Sequence, residues 1–159
     1  MAQNSSSSNN VEREFFRAMN RVVEPAVAAG FGSPGFTPWG MVVLETTGRN
    51  TGKLRRVPLL GLVAEGCVIV STVRGSQSQW VQNALGNERV RYWLLGQPIE
   101  GTATIIDTGT PPEVIAALPA HVRKMTGTAL MPLALAGWTF AVLQPVSPQP
   151  ARSKSEPRA

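Results

Sequence analysis

The stretch TTGRNTGKLRR, residues 46–56, holds four cations, two glycines and three threonines within eleven residues. It follows an apolar run at residues 41–44 and precedes another at residues 57–64, with one acid, Glu45, at its edge. Glycines permit tight turns, and apolar runs on both sides of a turn are typical of paired strands. The stretch, called the basic turn below, therefore predicts a β-hairpin with a strongly cationic tip.

The basic turn has two interpretations at this point. Glycines can expose backbone N–H groups, threonines add hydroxyl donors, and arginines bind phosphate or carboxylate oxygens in a bidentate way, which together favour an anion site. A hairpin that is merely solvated has the same spacing. The pattern is neither a P-loop nor a dinucleotide-binding glycine motif, so spacing alone does not decide between them.

Composition favours an acidic partner. The 159 residues suffice for one domain, and 15 Lys and Arg against 10 Asp and Glu give a net charge of +5. Such a balance suits a phosphorylated or carboxylated cofactor, an anionic lipid surface or nucleic acid. A compact cofactor calls for locally concentrated charge, as in the basic turn.

Side chains that carry out chemistry are scarce. The chain has one His, one Cys, one Tyr and a single Asp. A metal site, a hydrolytic triad or a pair of glycosidase carboxylates cannot be assembled convincingly from this set. We therefore predict no metal, assign no catalytic residue, and expect an enzyme of this composition to rely on a bound cofactor.

Strand-like runs dominate the middle of the chain. Alternating or apolar patterns between turn signals predict strands at residues 41–46, 57–64, 67–72, 90–95, 99–106 and 138–143. Short helices are predicted at residues 78–85 and 112–124, the second kinked or divided by Pro119. Short, closely spaced strands predict a mainly β protein with flanking helices, built as an antiparallel barrel.

The ends of the chain differ from its middle. Residues 1–10 and 147–159 are polar or Pro-rich and predict disordered tails around one domain at residues 11–146. Residues 11–29 predict an amphipathic helix, for which docking on the core is favoured over a membrane surface. Residues 30–40 predict an irregular Gly/Pro-rich connector. The lone Cys67 and the absence of a signal sequence favour a cytoplasmic location, with peripheral contact at the inner membrane face left open.

Several ordered motifs resemble one known family. The run LETTGRNTGKLR at residues 44–55, Pro58-Leu59, the strand VIV at residues 68–70, Arg74-Gly75 and the helix WVQNAL at residues 80–85 are similar to the deazaflavin-dependent nitroreductases of actinobacteria. That resemblance implies a split β-barrel related to flavin mononucleotide (FMN) reductases, and coenzyme F420 as cofactor. It also implies a reductase that delivers a hydride to a lipophilic acceptor.

The resemblance further implies which residues hold the cofactor. The basic turn would bind its phosphate and acidic tail, Arg74 would add a phosphate ligand, and Trp80 with Asn83 would lie near the deazaflavin ring. The complete expected set is Arg49, Asn50, Thr51, Gly52, Arg55, Pro58, Arg74, Gly75, Trp80 and Asn83. Asn50 stands where the family often has Lys, which removes one cation, although Lys53 and Arg56 are expected to add others near the anion site.

Other interpretations stay open from the residues alone. Trp80 and Asn83 also fit a core tryptophan with a capping asparagine. The protein could carry deazaflavin without turnover, or the same barrel could use FMN or haem. Arg89 and Arg91 share one strand face, but aromatics are too few beside them for nucleic acid to be expected. The acceptor would be a quinone, an enone or a nitroaromatic, and apolar strands would permit a homodimer.

Overall fold

The computed structural model describes residues 25–29, 32, 34 and 38–146. Both predicted tails lie outside the described residues, as does most of the predicted N-terminal helix. Of that helix, residues 25–28 are described and helical, with Val27 buried. Residues 39–40, predicted as connector, instead begin the first strand, because they pair with its neighbour at Leu62 and Gly61.

Six antiparallel strands close into a barrel in the order β1-β2-β3-β6-β5-β4. The strands are β1 Trp39–Thr47, β2 Leu54–Ala64, β3 Cys67–Thr72, β4 Arg89–Leu94, β5 Gln97–Ile106 and β6 Thr139–Pro145. All six predicted strands are confirmed, with ends that differ by up to three residues. The fold is the predicted split β-barrel.

Two hydrophobic clusters lie on the two faces of the barrel wall. The inner cluster fills the barrel with alternate residues of each strand, among them Leu44, Val70 and Tyr92. The outer cluster includes Ile69 and Phe140 and packs against the helices that follow β5. Alternation of side chains along a strand produces both clusters from the same β3 sequence.

Helices cover one end and one side of the barrel. Helix α1, Gln79–Gly86, follows a 3₁₀ turn, Gly75–Gln77, and places Trp80, Val81 and Ala84 in the inner cluster. Pro119 divides the second predicted helix into α2, Pro112–Ala116, and α3, Ala120–Met125, as expected of a residue without an N–H. A π-helical segment, Thr126–Leu130, and α4, Met131–Leu135, continue directly from α3.

The barrel wall opens along β2. Residues 54–62 of β2 pair with β1, but only residues 61–64 pair with β3. Residues 54–60 therefore have a strand neighbour on one side only. Beyond β3, the chain turns into the 3₁₀ turn and α1 instead of continuing along β2. This opening lies at the barrel end that carries the basic turn.

Candidate functional site

The basic turn connects β1 to β2 and is closed by its own backbone. The Gly48 N–H donates to the Lys53 carbonyl at 2.8 Å, and the Gly52 N–H donates to the Gly48 carbonyl at 2.8 Å. Gly52 has a φ of +67°, a left-handed conformation that favours glycine. The Lys53 N–H donates to Thr51 Oγ1 at 3.3 Å. Contrary to expectation, these glycines do not free N–H groups for an anion, so the side chains are left to bind it.

Asn83 ties the basic turn to helix α1. Its Oδ1 accepts the backbone N–H of Arg49 at 3.2 Å, and its Nδ2 donates to Thr46 Oγ1 at 3.2 Å. Asn83 and Thr46 are both buried. A buried amide with both ends bonded fixes the distance between the two elements that carry it. Thr46 was not among the predicted site residues, because nothing in the sequence pairs it with Asn83.

Strand alternation separates the two adjacent arginines of the basic turn. Arg55 lies opposite Thr46 in the register, and Arg56 lies opposite Glu45. Since neighbours in a strand point to opposite faces, Arg55 shares the face of Thr46 and α1. Arg49, Lys53 and Arg55 are exposed and make no ion pair with any residue that the structure describes. Three charges are therefore available to an anion at this end of the barrel.

Arg56 belongs to a different network on the outer face. Its Nε donates to the buried Glu45 carboxylate at 2.7 Å, and its guanidinium lies 4.5 Å from the centroid of the Trp93 ring. Arg91 also pairs with Glu45, at 3.8 Å, and with Glu100. The four charged residues form a row across β2, β1, β4 and β5. The expectation that Arg56 adds a cation near the anion site is therefore wrong, because its charge is already compensated.

Arg74 and Gly75 lie beyond β3, next to the opening in the wall. The Arg74 side chain is exposed and makes no ion pair within the described part of the chain. Gly75 has a φ of +58°, and a Cβ there would lie 3.0 Å from the Gly137 carbonyl oxygen. Glycine is thus required twice, for the backbone conformation and for the close approach to the segment before β6.

The remaining predicted residues have contrasting positions. Trp80 is buried in the inner cluster, on the side of α1 that closes the barrel. Pro58 lies half-buried on β2 opposite Val43, within the part of β2 that β3 leaves unpaired. Asn50 and Thr51 are exposed at the tip of the turn. The core position of Trp80 agrees with its structural interpretation, and its contact with a cofactor ring stays a prediction.

A cleft of about 180 Å³ lies beside the basic turn, on the outer side. Its lining includes Thr47, Leu54, Asn87 and Arg89, and Arg89 makes no ion pair with a described residue. Of the predicted pair of strand arginines, only Arg89 is therefore uncompensated. Of these two strand arginines, only Arg89 can therefore extend the positive charge of the basic turn.

Titratable groups near the centre of the fold do not form a reactive cluster. Tyr92 is buried, and desolvation raises the pKa of its hydroxyl to about 12, with a smaller contribution from Cys67. Burial raises the pKa of the Cys67 thiol, with Glu65 adding to the effect and a hydrogen bond from Gln144 opposing it. His121 is exposed on α3. Within the described ranges, no group of three or more His, Cys, Asp or Glu residues could hold a metal ion.

Comparison with known proteins identifies the family. Residues 16–125 match the family model described as F420H(2)-dependent quinone reductase. The chain belongs to the F420H2-dependent quinone reductase family. As a member of this family it is a reductase, and its cofactor is coenzyme F420. The predicted cofactor is thereby confirmed, as the predicted barrel is by the structure, whereas the nitroreductase designation is not confirmed.

Solved structures similar to this quinone reductase family member are distant in sequence. The F420-H2 dependent reductase FDR-A is 22% identical, with a TM-score of 0.41, and the match covers 64% of this chain and 92% of that one. An FMN-binding protein from Nostoc punctiforme is 14% identical, with a TM-score of 0.45 and coverages of 67% and 70%. The heme storage protein HutZ from Vibrio cholerae is 15% identical, with a TM-score of 0.44 and coverages of 67% and 81%. A search of curated proteins finds no match.

The residues present fit the coenzyme of the quinone reductase family. A polyanionic molecule needs several uncompensated cations close together, and Arg49, Lys53 and Arg55, which pair with no acid in the described part of the chain, meet that need at one turn. When bound, reduced coenzyme F420 supplies a hydride from its deazaflavin ring. The protein contributes charge at the basic turn and, beside it, a stretch of β2, residues 54–60, that pairs with β1 but not with β3.

Proposed function

We propose that this protein uses reduced coenzyme F420 to reduce a lipophilic acceptor, such as a quinone, an enone or a nitroaromatic. The observation that carries this proposal is the set of three cations at the basic turn that form no ion pair with a described residue, next to the opening between β2 and α1. Arg49, Asn50, Thr51, Gly52 and Arg55 would hold the acidic end of the cofactor. Arg74 would bind a phosphate oxygen from the other side of the opening.

The contribution of the chain to the reaction is chiefly positioning. Asn83 fixes the basic turn to α1, so the charges that hold the cofactor keep a constant distance from the barrel end. Holding two reactants together and excluding water lowers the barrier without a dedicated acid or base. The absence of a reactive cluster among the described residues agrees with this role, and solvent can deliver the proton that completes the reduction.

An anaerobic mixing experiment tests the reductase activity. The protein is mixed with reduced F420, and the oxidised deazaflavin absorbance is followed after addition of menadione, an enone or a nitroimidazole. Acceptor-dependent recovery of the absorbance is expected. Tight binding without recovery for every acceptor would favour the alternative of a deazaflavin carrier, which the scarcity of titratable groups also suits.

Side-by-side titration tests the cofactor. F420, FMN and haem are titrated under the same conditions, and F420 is expected to bind most tightly because it has the greatest negative charge for the basic turn. A preference for FMN or haem would contradict the proposed site. The assembly is measured in the same samples by light scattering, since the proposed partners include a second copy of the chain.

Membrane contact is a separate part of the proposal. None of the described helices is long and apolar enough to cross a bilayer. Co-sedimentation with anionic liposomes, with and without residues 1–30, tests whether the N-terminal segment confers peripheral binding. Equal amounts of both proteins in the pellet would contradict a role of that segment.

A further inference from the structure

A second pair of arginines lies close to the basic turn, in the cleft on its outer side. This outer cleft, of about 180 Å³, is lined by Arg89 and Arg91 of β4, together with Thr47 at the end of β1 and Leu54 at the start of β2. It is large enough to admit water and small ions. Two arginines beside a strongly cationic turn would ordinarily form a second anion site.

Two carboxylates compensate the charge of the outer cleft. Glu45 and Glu100 also line it, so its four charged residues carry no net charge. One oxygen of Glu45 lies 2.7 Å from Arg56 Nε, and the other lies 3.8 Å from Arg91 Nη1. Glu100 pairs with Arg91 as well. The outer cleft therefore differs in charge from the α1 face of the basic turn, although both contain arginines.

The two carboxylates differ in burial, which decides how strongly each acts on an anion. The Glu45 side chain is 5% exposed, whereas that of Glu100 is 66% exposed. Water screens an exposed charge, but a buried charge acts on its neighbours through a lower dielectric constant. Glu45 also directly precedes Thr46, and neighbouring residues of a strand point to opposite faces. The negative charge of Glu45 therefore acts on the outer side, opposite the face of α1.

We propose that Glu45 is a positioning residue that keeps anions out of the outer cleft, so that the polyanionic cofactor binds only on the α1 face of the basic turn. Glu45 acts through Arg56 and Arg91, whose charges it compensates. A cofactor held in the outer cleft would lie on the wrong side of β2, away from the opening next to α1. The inference rests on the proposed function, because it concerns how the cofactor of that function is oriented.

Inorganic triphosphate is a suitable probe for both sides of the basic turn, because it is polyanionic and has no ring. Its binding is measured by isothermal titration calorimetry. In the wild-type protein one triphosphate should bind per chain, and Glu45→Gln should raise this number to two. In the Arg55→Ala background, which weakens the site on the α1 face, Glu45→Gln should tighten triphosphate binding about tenfold, because the buried charge that repels the anion is gone. Added salt should reduce this gain.

Glu100→Gln is the matched control, because it removes one negative charge from the same cleft. Since the Glu100 side chain is exposed, its replacement should change triphosphate binding by less than about twofold. Adding Arg91→Gln to Glu45→Gln should abolish the second site. Equal gains for Glu45→Gln and Glu100→Gln would overturn the inference, because net charge alone would then explain them. One site of unchanged affinity in Glu45→Gln would overturn it too.

A double variant covers the case in which Glu45→Gln does not fold. Glu45→Gln/Arg56→Gln replaces the ion pair with two amides and leaves the net charge of the protein unchanged. Arg56 does not line the outer cleft, so the cleft still loses only a negative charge. Circular dichroism checks the fold of each variant. Tighter triphosphate binding in the Arg55→Ala background is expected again, and its absence would overturn the inference.

Failure of the proposed function gives a different result. If the protein neither binds nor oxidises reduced F420, triphosphate titration still counts the anion sites and decides the role of Glu45. If F420 is bound and oxidised but Glu45→Gln gains no triphosphate site, the reductase function stands and the inference about Glu45 is overturned.

Discussion

The side-chain amide of Asn83 accepts the backbone N–H of Arg49 at 3.2 Å, across 34 positions of sequence. One buried residue of α1 thereby sets the position of the basic turn, which carries the proposed anion-binding charges. The second bond of the amide, to Thr46 Oγ1, fixes its orientation. Stability and cofactor affinity should therefore depend on the same residue.

Replacement of Asn83 tests that dependence. Asn83→Ala leaves the Arg49 N–H and the Thr46 hydroxyl without their partner, and we expect it to lower the free energy of unfolding by about 1–3 kcal/mol. Cofactor affinity should fall as well, because the basic turn loses its attachment. Chemical denaturation and F420 titration measure the two effects. Asn87→Ala, which removes only an exposed bond to the Arg89 N–H, is the control and should change both little.

Adjacent arginines allow a matched test of the anion site. Arg55→Ala removes a cation on the face of α1 that pairs with no described acid, and should weaken F420 binding by about 1.5–3 kcal/mol. Arg56→Ala removes a cation already bonded to Glu45, on the opposite face. It should lower stability instead and leave the dissociation constant nearly unchanged. Equal effects of the two variants on F420 affinity would contradict the proposal that Arg55 faces the anion site and Arg56 does not.

Gly75 should be more sensitive to substitution than another left-handed glycine. In Gly75→Ala the added Cβ meets the Gly137 carbonyl oxygen at 3.0 Å, in addition to the strain of φ +58°. Gly66 has a φ of +76°, but a Cβ there meets nothing within 4 Å. We expect a loss of about 1 kcal/mol for Gly66→Ala and about 2–3 kcal/mol for Gly75→Ala. Urea unfolding of the two variants measures the difference, and a smaller loss at Gly75 would contradict the close approach.

The raised pKa of the Tyr92 hydroxyl should lower the stability of the protein at high pH. Its folded pKa of about 12 lies above the ordinary value of 10.0, so the folded state retains a proton that the unfolded state releases. The contribution of Tyr92 to stability is therefore complete below pH 10. As the pH rises from 10 toward 12, the free energy of unfolding falls by about 2–3 kcal/mol. The hydroxyl makes no hydrogen bond with a residue that the structure describes, so Tyr92→Phe should be nearly neutral at pH 7.

Unfolding of wild-type protein and the Phe variant at several pH values checks this prediction. The Cys67 thiol has a raised pKa in both proteins, so its contribution largely cancels in the difference. The difference between the two proteins should appear only above pH 10. A constant difference from pH 7 to pH 12 would mean that Tyr92 does not titrate as expected.

The local sequence patterns predicted the existence of each strand better than the residues at which the strand begins and ends. Each strand was recognised, yet β2 begins at Leu54 instead of residue 57, because pairing with β1 extends it into a polar, charged stretch. Residues 97–98 lie between two predicted strands, at 90–95 and 99–106, but Gln97 and Pro98 pair with Leu94 and Trp93 of β4. The residue at which a strand begins or ends depends on its pairing with neighbouring strands, and the sequence of one strand does not reveal which strand it pairs with.

The candidate site was predictable in part. The charge and glycines of residues 46–56 located the basic turn, and the resemblance named the residues around it. The sequence did not predict that Arg55 lies on the α1 face and Arg56 on the outer face, since the two arginines differ only in the face of the strand on which they lie. The compensation of Arg56 by Glu45 and of Arg91 by Glu45 and Glu100 also appears only when four strands are placed side by side.

The sequence by itself determined the alternating strands, the hairpin between β1 and β2 and the concentration of positive charge at its tip, because these depend on residues close together in the chain. Tertiary structure alone decided which of the described cations form ion pairs, how Asn83 fixes the turn and where the wall opens along β2. These features arise from contacts between residues far apart in sequence, and such contacts exist only once the barrel has closed.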